Sequence, residues 1–260
     1  MIKMKLRSRF VALALLAFLP ELAFGEELEE KSVEPNSGYV AEEFINYKIA
    51  ENPLDRIPPY RDRRESSGAM LSVGYGQFQP TEYQPQFVVE SYDEVYSTDE
   101  TGLYDISLAY KLNFFLGSLS LGIGVGVASS LSADIALFGD SEVKFIPYRI
   151  EVTFALDTLF PQPILVPYGM LGAYAVYYSE TEGSKSASGT TEAALFFAGG
   201  ASLQMDWLFP EEALAAYKEN GQESTFLYVE GRKYLASSQT PSDPDFETDI
   251  MWNVGVKLEF

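Results

Sequence analysis

From residue 66 onward, apolar and polar positions alternate with a period of two, the mark of strands with two unlike faces. The clearest stretch is GSLSLGIGVGVASSL, Gly117 to Leu131. There Leu119, Leu121, Ile123, Val125 and Val127 point one way, and Ser118, Ser120, Gly122, Gly124, Gly126 and Ala128 point the other. In the preceding TGLYDISLAYKLNFF, Tyr104, Ile106, Leu108, Tyr110, Leu112 and Phe114 oppose Asp105, Ser107, Lys111 and Asn113. Leu116–Gly117–Ser118 between them reads as a tight hairpin, with Gly where positive φ is easiest.

The same pattern recurs along the chain. EVKFIPYRIEVTFALD sets Ile146, Tyr148, Ile150, Val152, Phe154 and Leu156 against Arg149, Glu151, Thr153 and Asp157. ILVPYGMLGAYAVYYS follows a Pro-rich turn, FPQP. EAALFFAGGASLQMDW sets Leu195, Phe197, Ala201, Leu203, Met205 and Trp207 against Ser202, Gln204 and Asp206. STFLYVEGRKYL sets Leu227 and Val229 against Glu230 and Arg232. The last strand sets Phe246, Thr248, Ile250, Trp252, Val254, Val256, Leu258 and Phe260 against Glu247, Asp249, Asn253, Lys257 and Glu259. With SSGAMLSVGYGQF near residue 72 the count is eight, or ten if QFVVESYDEVY forms an extra hairpin.

The connections also alternate. LGS, the turn around FPQP and a helical PEEALAAYKENG, which begins with Pro and ends with Gly, lie at one end. Four longer polar loops lie at the other, including the acidic, Tyr-rich stretch 80–100. This pattern predicts an all-β, closed antiparallel barrel with a short turn helix. The choice of medium is chemical. A soluble barrel turns its apolar face inward, whereas a membrane barrel turns it to lipid and lines its lumen with polar groups. Small Gly, Ala and Ser on the polar faces suit a narrow lumen. Phe114, Phe115, Tyr148, Phe160, Tyr168, Tyr177, Tyr178, Trp207 and Phe260 fall near strand ends, where girdles meet the two interfaces. Strands of ~13–16 residues exceed the ~9–11 needed to span a bilayer, and no sheet edge is tolerated in lipid, so the sheet closes.

The remaining chain fits that picture. Lys3, Lys5, Arg7 and Arg9, the apolar run FVALALLAFL and Ala23 and Gly25 make the three-part pattern of a signal peptide over residues 1–25. Those residues hold four of the 18 basic groups and one of the 38 acidic ones, so removing them leaves 14 against 37, a net charge of −23. Residues 26–65 form an acidic leader without β pattern; Val40, Phe44 and Tyr47 fit a short amphipathic helix, and IPPYRDRR reads as a solvated basic rim. Such acidity argues against nucleic-acid binding.

The final strand carries Asn253-x-Gly255-x-x-Leu258-x-Phe260. This resembles the C-terminal assembly signal of bacterial outer-membrane barrels, and the chain as a whole resembles the small OmpA/OmpX-type barrels in architecture. The resemblance implies an integral outer-membrane protein, with extracellular loops, a periplasmic leader and turns, and lipid and lipopolysaccharide around the wall. It also implies recognition by the barrel-insertion machinery, and no peptidoglycan-binding domain is expected after the barrel. The enzymes that resemble such barrels use a catalytic His; this sequence has no His and no Cys, so those mechanisms are unavailable to it. No catalytic residue, cofactor or metal is expected. Asp93/Glu94, Asp99/Glu100 and Asp243/Asp245 read as solvated loop acids, and PSDPDFETD departs from the spacing of an EF-hand-type Ca²⁺ loop.

The polar faces carry one further signal. Arg149 and Glu151, Glu230 and Arg232, and Asp105 and Lys111 all point into a narrow lumen, where a lone charge is costly. They are expected to pair into a network that plugs the barrel. The function expected is a structural or surface-interaction role, with the loop 80–100 as contact surface; the alternative is a narrow channel in which the same charges select small solutes or ions.

Overall fold

The computed structural model describes residues 57–87, 92–96, 101–131, 141–238 and 243–260. The expected signal peptide, the 40–47 helix pattern and the pair Asp99/Glu100 lie outside them. Nine strands form one antiparallel sheet: β1 (Ser67–Gln77), β2 (Gly102–Phe114), β3 (Gly117–Leu131), β4 (Ser141–Ala155), β5 (Leu165–Glu182), β6 (Lys185–Thr190), β7 (Ala194–Gln204), β8 (Ser224–Tyr234) and β9 (Met251–Glu259). Their order is β4-β3-β2-β1-β9-β8-β7-β5-β6, and a β4–β5 pairing closes the ring.

The ring has eight staves, because β6 and β7 share one. β6 pairs with the upper half of β5 and β7 with the lower half. Between them, three residues of one strand face two of the other, a bulge. It is held by Thr191 N–H donating to Val176 O, and by Val176 N–H donating to Thr191 Oγ1, both at 3.0 Å. The ten-strand alternative is not realised: Tyr92–Val95, within the segment proposed for the extra hairpin, is one turn of helix (α2).

Two details differ from the sequence-based expectation. The β2–β3 hairpin turns on Phe115 and Leu116, and Gly117 already pairs with Phe114 as the first residue of β3, without positive φ. Gly117 is needed for space, since a Cβ there would lie 2.1 Å from Ala155 O. The last strand begins at Met251, not Phe246. Phe246 and Thr248 are buried while Ile250 is exposed, so they do not share its face. The ladder is interrupted because Thr248 instead bridges to Pro80 across the loop end.

Two short helices flank the strands at the turn end. Tyr60–Arg63 (α1) precedes β1. Pro210–Asn220 (α3) links β7 to β8, with Pro at its start and Gly221 closing it in the left-handed conformation, φ 68°. That conformation carries no steric cost for Gly.

Alternation sorts the faces as a membrane barrel requires. β3 reads buried and exposed in strict turn from Ser118 to Leu131. Its outward side chains are large and bare, as Ile123 at 61 % exposure shows, and Leu171 on β5 reaches 65 %. The inward side chains include Asp105, Arg149, Glu151, Glu230 and Arg232, all buried.

Candidate functional site

The lumen is filled by three stacked layers. The middle layer is a charged network. Arg149 donates two hydrogen bonds to Asp105, at 2.5 and 2.7 Å, and a third to Glu151 at 2.6 Å. Arg232 reaches Glu230 at 2.5 Å and Asp105 at 3.3 Å. Tyr168 O–H and Asn253 Nδ2–H complete Glu230, at 2.7 and 3.3 Å. Lys257 lies among these groups with no carboxylate within ion-pair distance among the described residues. Its ammonium sits over the rings of Tyr168 and Tyr228, 3.5 and 4.5 Å from their centroids. Three acids thus face three bases, so the layer is neutral; Arg149 and Arg232 are paired with carboxylates, and Lys257 is held by the two rings instead.

The small residues of the sequence give these charges room. In the ladder Asp105 lies opposite Gly74 and Gly126, Glu151 opposite Gly122 and Gly172, and Glu230 opposite Gly200. Arg149 lies opposite Gly124, where a Cβ would sit 2.5 Å from the guanidinium carbon. Gly74 pairs with Gly255 at the seam between β1 and β9, and a Cβ on Gly74 would lie 2.2 Å from the Tyr228 hydroxyl. Gly124 thus makes room for Arg149, Gly200 for Glu230 and Gly74 for Tyr228, while the space at Gly126 is filled by Leu103 and that at Gly172 by Phe196.

At the turn end, α1 enters the barrel mouth. IPPYRDRR is therefore not a solvated rim: Tyr60 and Arg63 are buried. The Tyr60 hydroxyl accepts from Lys111 Nζ at 2.6 Å and donates to Glu259 at 2.7 Å. Lys111 also pairs with Glu259 at 2.8 Å and Asp157 at 2.9 Å, so it joins this layer and not Asp105. Arg64 reaches Asp157 at 2.8 Å, and Arg63 pairs with Asp206. Two main-chain N–H groups tie α1 to the β4–β5 turn: Tyr60 N–H donates to the side-chain Oε1 of Gln162 at 2.8 Å and Arg61 N–H to Pro161 O at 3.0 Å. Burial, reinforced by Glu259 and Asp157, pushes the Tyr60 hydroxyl well above its ordinary range, so it stays protonated. Burial alone would raise Asp157, but Lys111, Ser118 and Arg64 outweigh it and hold the carboxyl below its usual range. Glu223, which accepts from Glu65 N–H at 2.8 Å, is shifted up by burial.

At the loop end the lumen is aromatic. Phe78, Tyr83, Tyr92, Tyr96, Phe145, Tyr174, Phe196, Tyr234 and Phe246 form one buried cluster. Tyr174 and Tyr234 meet edge to face at 4.5 Å, and the rings of Tyr83 and Phe246 lie 5.0 Å apart, tilted by 38°. Tyr83, Tyr92 and Tyr96 come from the stretch 80–100, so the tyrosines expected at a contact surface instead turn inward. Glu180 draws in Tyr83 and Tyr96, accepting from Tyr83 O–H at 2.8 Å, Gln86 N–H at 2.8 Å and Tyr96 O–H at 3.1 Å, while the Tyr92 hydroxyl pairs with that of Thr101 at 2.5 Å. Burial, reinforced by Glu180, raises the Tyr83 and Tyr96 hydroxyls far above their ordinary range. Tyr234 O–H accepts from Arg232 at 3.1 Å and joins the aromatic layer to the charged one.

Two residues expected in the girdles lie elsewhere: Tyr168 faces the lumen and Tyr178 packs on the aromatic cluster. The other seven of that set are exposed on the wall or its rims, Phe115 at 90 %. Of the loop acids, Glu94 is exposed, while Asp245 accepts from Ser237 N–H at 2.7 Å. Among the described residues no group of His, Cys, Asp or Glu is placed to hold a metal.

An apolar wall facing outward around a paired, charged interior is stable only where the surroundings are hydrocarbon. The protein is a transmembrane β-barrel. No helix among the described residues is long and apolar enough to cross a membrane. No family model and no curated protein matches the sequence. The barrel is similar to the solved outer membrane protein OprG from Pseudomonas aeruginosa, with TM-score 0.44 and 12 % identity over 76 % of this chain and 98 % of that one. It is similar also to the N-terminal β-barrel domain of OprF from the same organism, with TM-score 0.41 and 12 % identity over 75 % and 98 % of the two chains. For Neisserial surface protein A the values are 0.40 and 9 %, over 75 % and 95 %.

The alternation sets Asp206 on the inward face, but Tyr60, Arg63 and Glu180 are not singled out by it. Glu180 has the same parity as Tyr174 and Tyr178, which places it inward. Tyr60 and Arg63 lie in a helical turn that carries no strand parity, so period-two reasoning had no purchase on them.

Proposed function

We propose that the protein is a closed, non-enzymatic barrel of the bacterial outer membrane with a structural or surface-interaction role, its turn end and leader in the periplasm. The observation that supports this is the stacking of three layers, each spanning the lumen: the α1 plug, the neutral charge network and the aromatic cluster. A conducting pore needs a continuous hydrated path, and these layers leave eight staves little room for one. Asp105, Arg149, Glu151, Glu230 and Arg232 act as an internal brace, while Lys111 anchors the plug. The closing strand, with Asn253, Gly255, Leu258 and Phe260, carries the assembly signal read by the insertion machinery.

The test is conductance of the refolded protein in a planar bilayer. The expected result is silence across voltage and salt. Steady conductance that disappears when Arg149 or Arg232 is neutralised would overturn this reading in favour of a narrow ion-selective channel.

A further inference from the structure

The β7–β8 turn is built unlike a simple hairpin. Trp207, Leu208 and Phe209 stand exposed in succession, and α3 follows at once with no buried residue. The chain is pinned on both sides of this excursion. Asp206 accepts from Ser224 Oγ at 2.8 Å and Thr225 N–H at 3.1 Å, and Glu223 N–H donates to Glu259 O at 2.7 Å. Pinning holds both ends of the 11-residue helix at the turn end of the barrel.

The helix has two unlike sides. Ala213, Leu214, Ala216 and Tyr217 are half-buried, while Glu211, Glu212, Lys218 and Glu219 are exposed. The Trp207–Leu208–Phe209 triplet continues the outward apolar line of Leu195, Phe197 and Leu203 on β7, which is the wall that meets lipid.

We infer that α3 is a membrane-surface helix, seated on the phospholipid leaflet at the turn end, with Trp207, Leu208 and Phe209 as its anchor. The occupant of its apolar side is lipid, because Ala213, Ala216 and Tyr217 recur at helical spacing from Phe209, which belongs to the exposed triplet that continues the wall. Three acids against one base exclude attraction to anionic headgroups as the cause, so apolar burial carries the seating and added salt leaves it unchanged. The inference rests on the membrane-barrel reading but is independent of whether the lumen conducts.

The chain holds two Trp residues, which makes the test direct. Trp252→Phe leaves Trp207 as the only emitter; Trp207→Phe leaves Trp252, on the wall, as a reference for insertion. Both are refolded into phosphatidylcholine vesicles whose chains are brominated near the glycerol end. A third variant, Leu214→Cys, carries a nitroxide on α3. The expected result is loss of Trp207 emission in the brominated lipid, weak quenching by aqueous iodide, and a nitroxide relaxed more by oxygen than by a water-soluble nickel complex. Quenching of Trp207 by iodide alone overturns the inference. So does shielding from both quenchers, which means a protein partner, or a water-exposed nitroxide beside a lipid-exposed Trp207, which reduces the triplet to a rim anchor. Absence of bromolipid quenching at Trp252 instead refutes the membrane reading itself.

Discussion

Replacing Arg149 with Met tests whether the lumen charges form a dry, matched network. Met keeps much of the apolar stem and removes the guanidinium. Asp105 would keep Arg232 at 3.3 Å, but Glu151 would lose its only ion-pair partner among the described residues. A buried charge orphaned in this way costs about 3–5 kcal/mol, or roughly two to four powers of ten in the folding equilibrium. With a urea slope of about 3 kcal/mol per molar, the midpoint falls by roughly 1–2 M. The assay is reversible urea unfolding of the barrel in lipid vesicles, followed by Trp emission. Adding Glu151→Gln to the same chain should recover most of the loss, because the orphaned charge is gone while the amide retains its hydrogen-bonding capacity. A loss below about 1 kcal/mol for the single variant, the scale of a solvated pair, would refute the reasoning. So would a double variant no more stable than the single one. Either result would mean that water reaches the middle layer.

Four other outcomes are expected. Asp157 titrates below its unfolded value, so the stability it contributes is full above about pH 4 and is lost as pH falls through its folded value; Asp157→Asn should flatten the acid limb of the urea midpoint, and an unchanged limb would exclude this site as its source. Glu223 has the opposite sign: its raised value costs stability at neutral pH, so Glu223→Gln should stabilise at pH 7 and lose that advantage near pH 4. Glu180→Ala leaves Tyr83 O–H, Tyr96 O–H and Gln86 N–H without their acceptor, at about 1–3 kcal/mol for each group that stays buried; limited proteolysis should then cut the β1–β2 loop first, and a loop as resistant as before would disprove the latch. Phe260→Ala should lower the heat-modifiable fraction made in cells while in vitro refolding stays nearly normal; equal losses in both would make Phe260 a packing residue rather than a signal.

The period-two pattern was enough to read eight staves, their outward faces and the order of long and short connections. It succeeds because a strand in a two-faced sheet has a fixed parity, and a slip of one residue would put Arg149 and Glu151 into lipid. The same parity placed Asp105, Glu230 and Arg232 inward. It could not tell which charge meets which. Lys111 shares a strand and a face with Asp105, yet pairs with Asp157 and Glu259, because six residues along β2 carry it to the turn end. Height in the lumen depends on strand tilt and register, which parity does not encode.

What the sequence determined by itself is thus the wall, set by local alternation and by the hydrocarbon it must face. What only the tertiary structure decided is the filling. Tyr60 and Arg63 occupy the turn-end mouth, and Tyr83, Tyr92 and Tyr96 the loop-end mouth, from segments outside the eight alternating stretches. They read as polar loop because their neighbours in sequence are polar. They fold inward because closing the barrel creates, at each end, partners that lie far away along the chain: Glu259 and Asp206 for the plug, and Glu180 and Phe246 for the tyrosines.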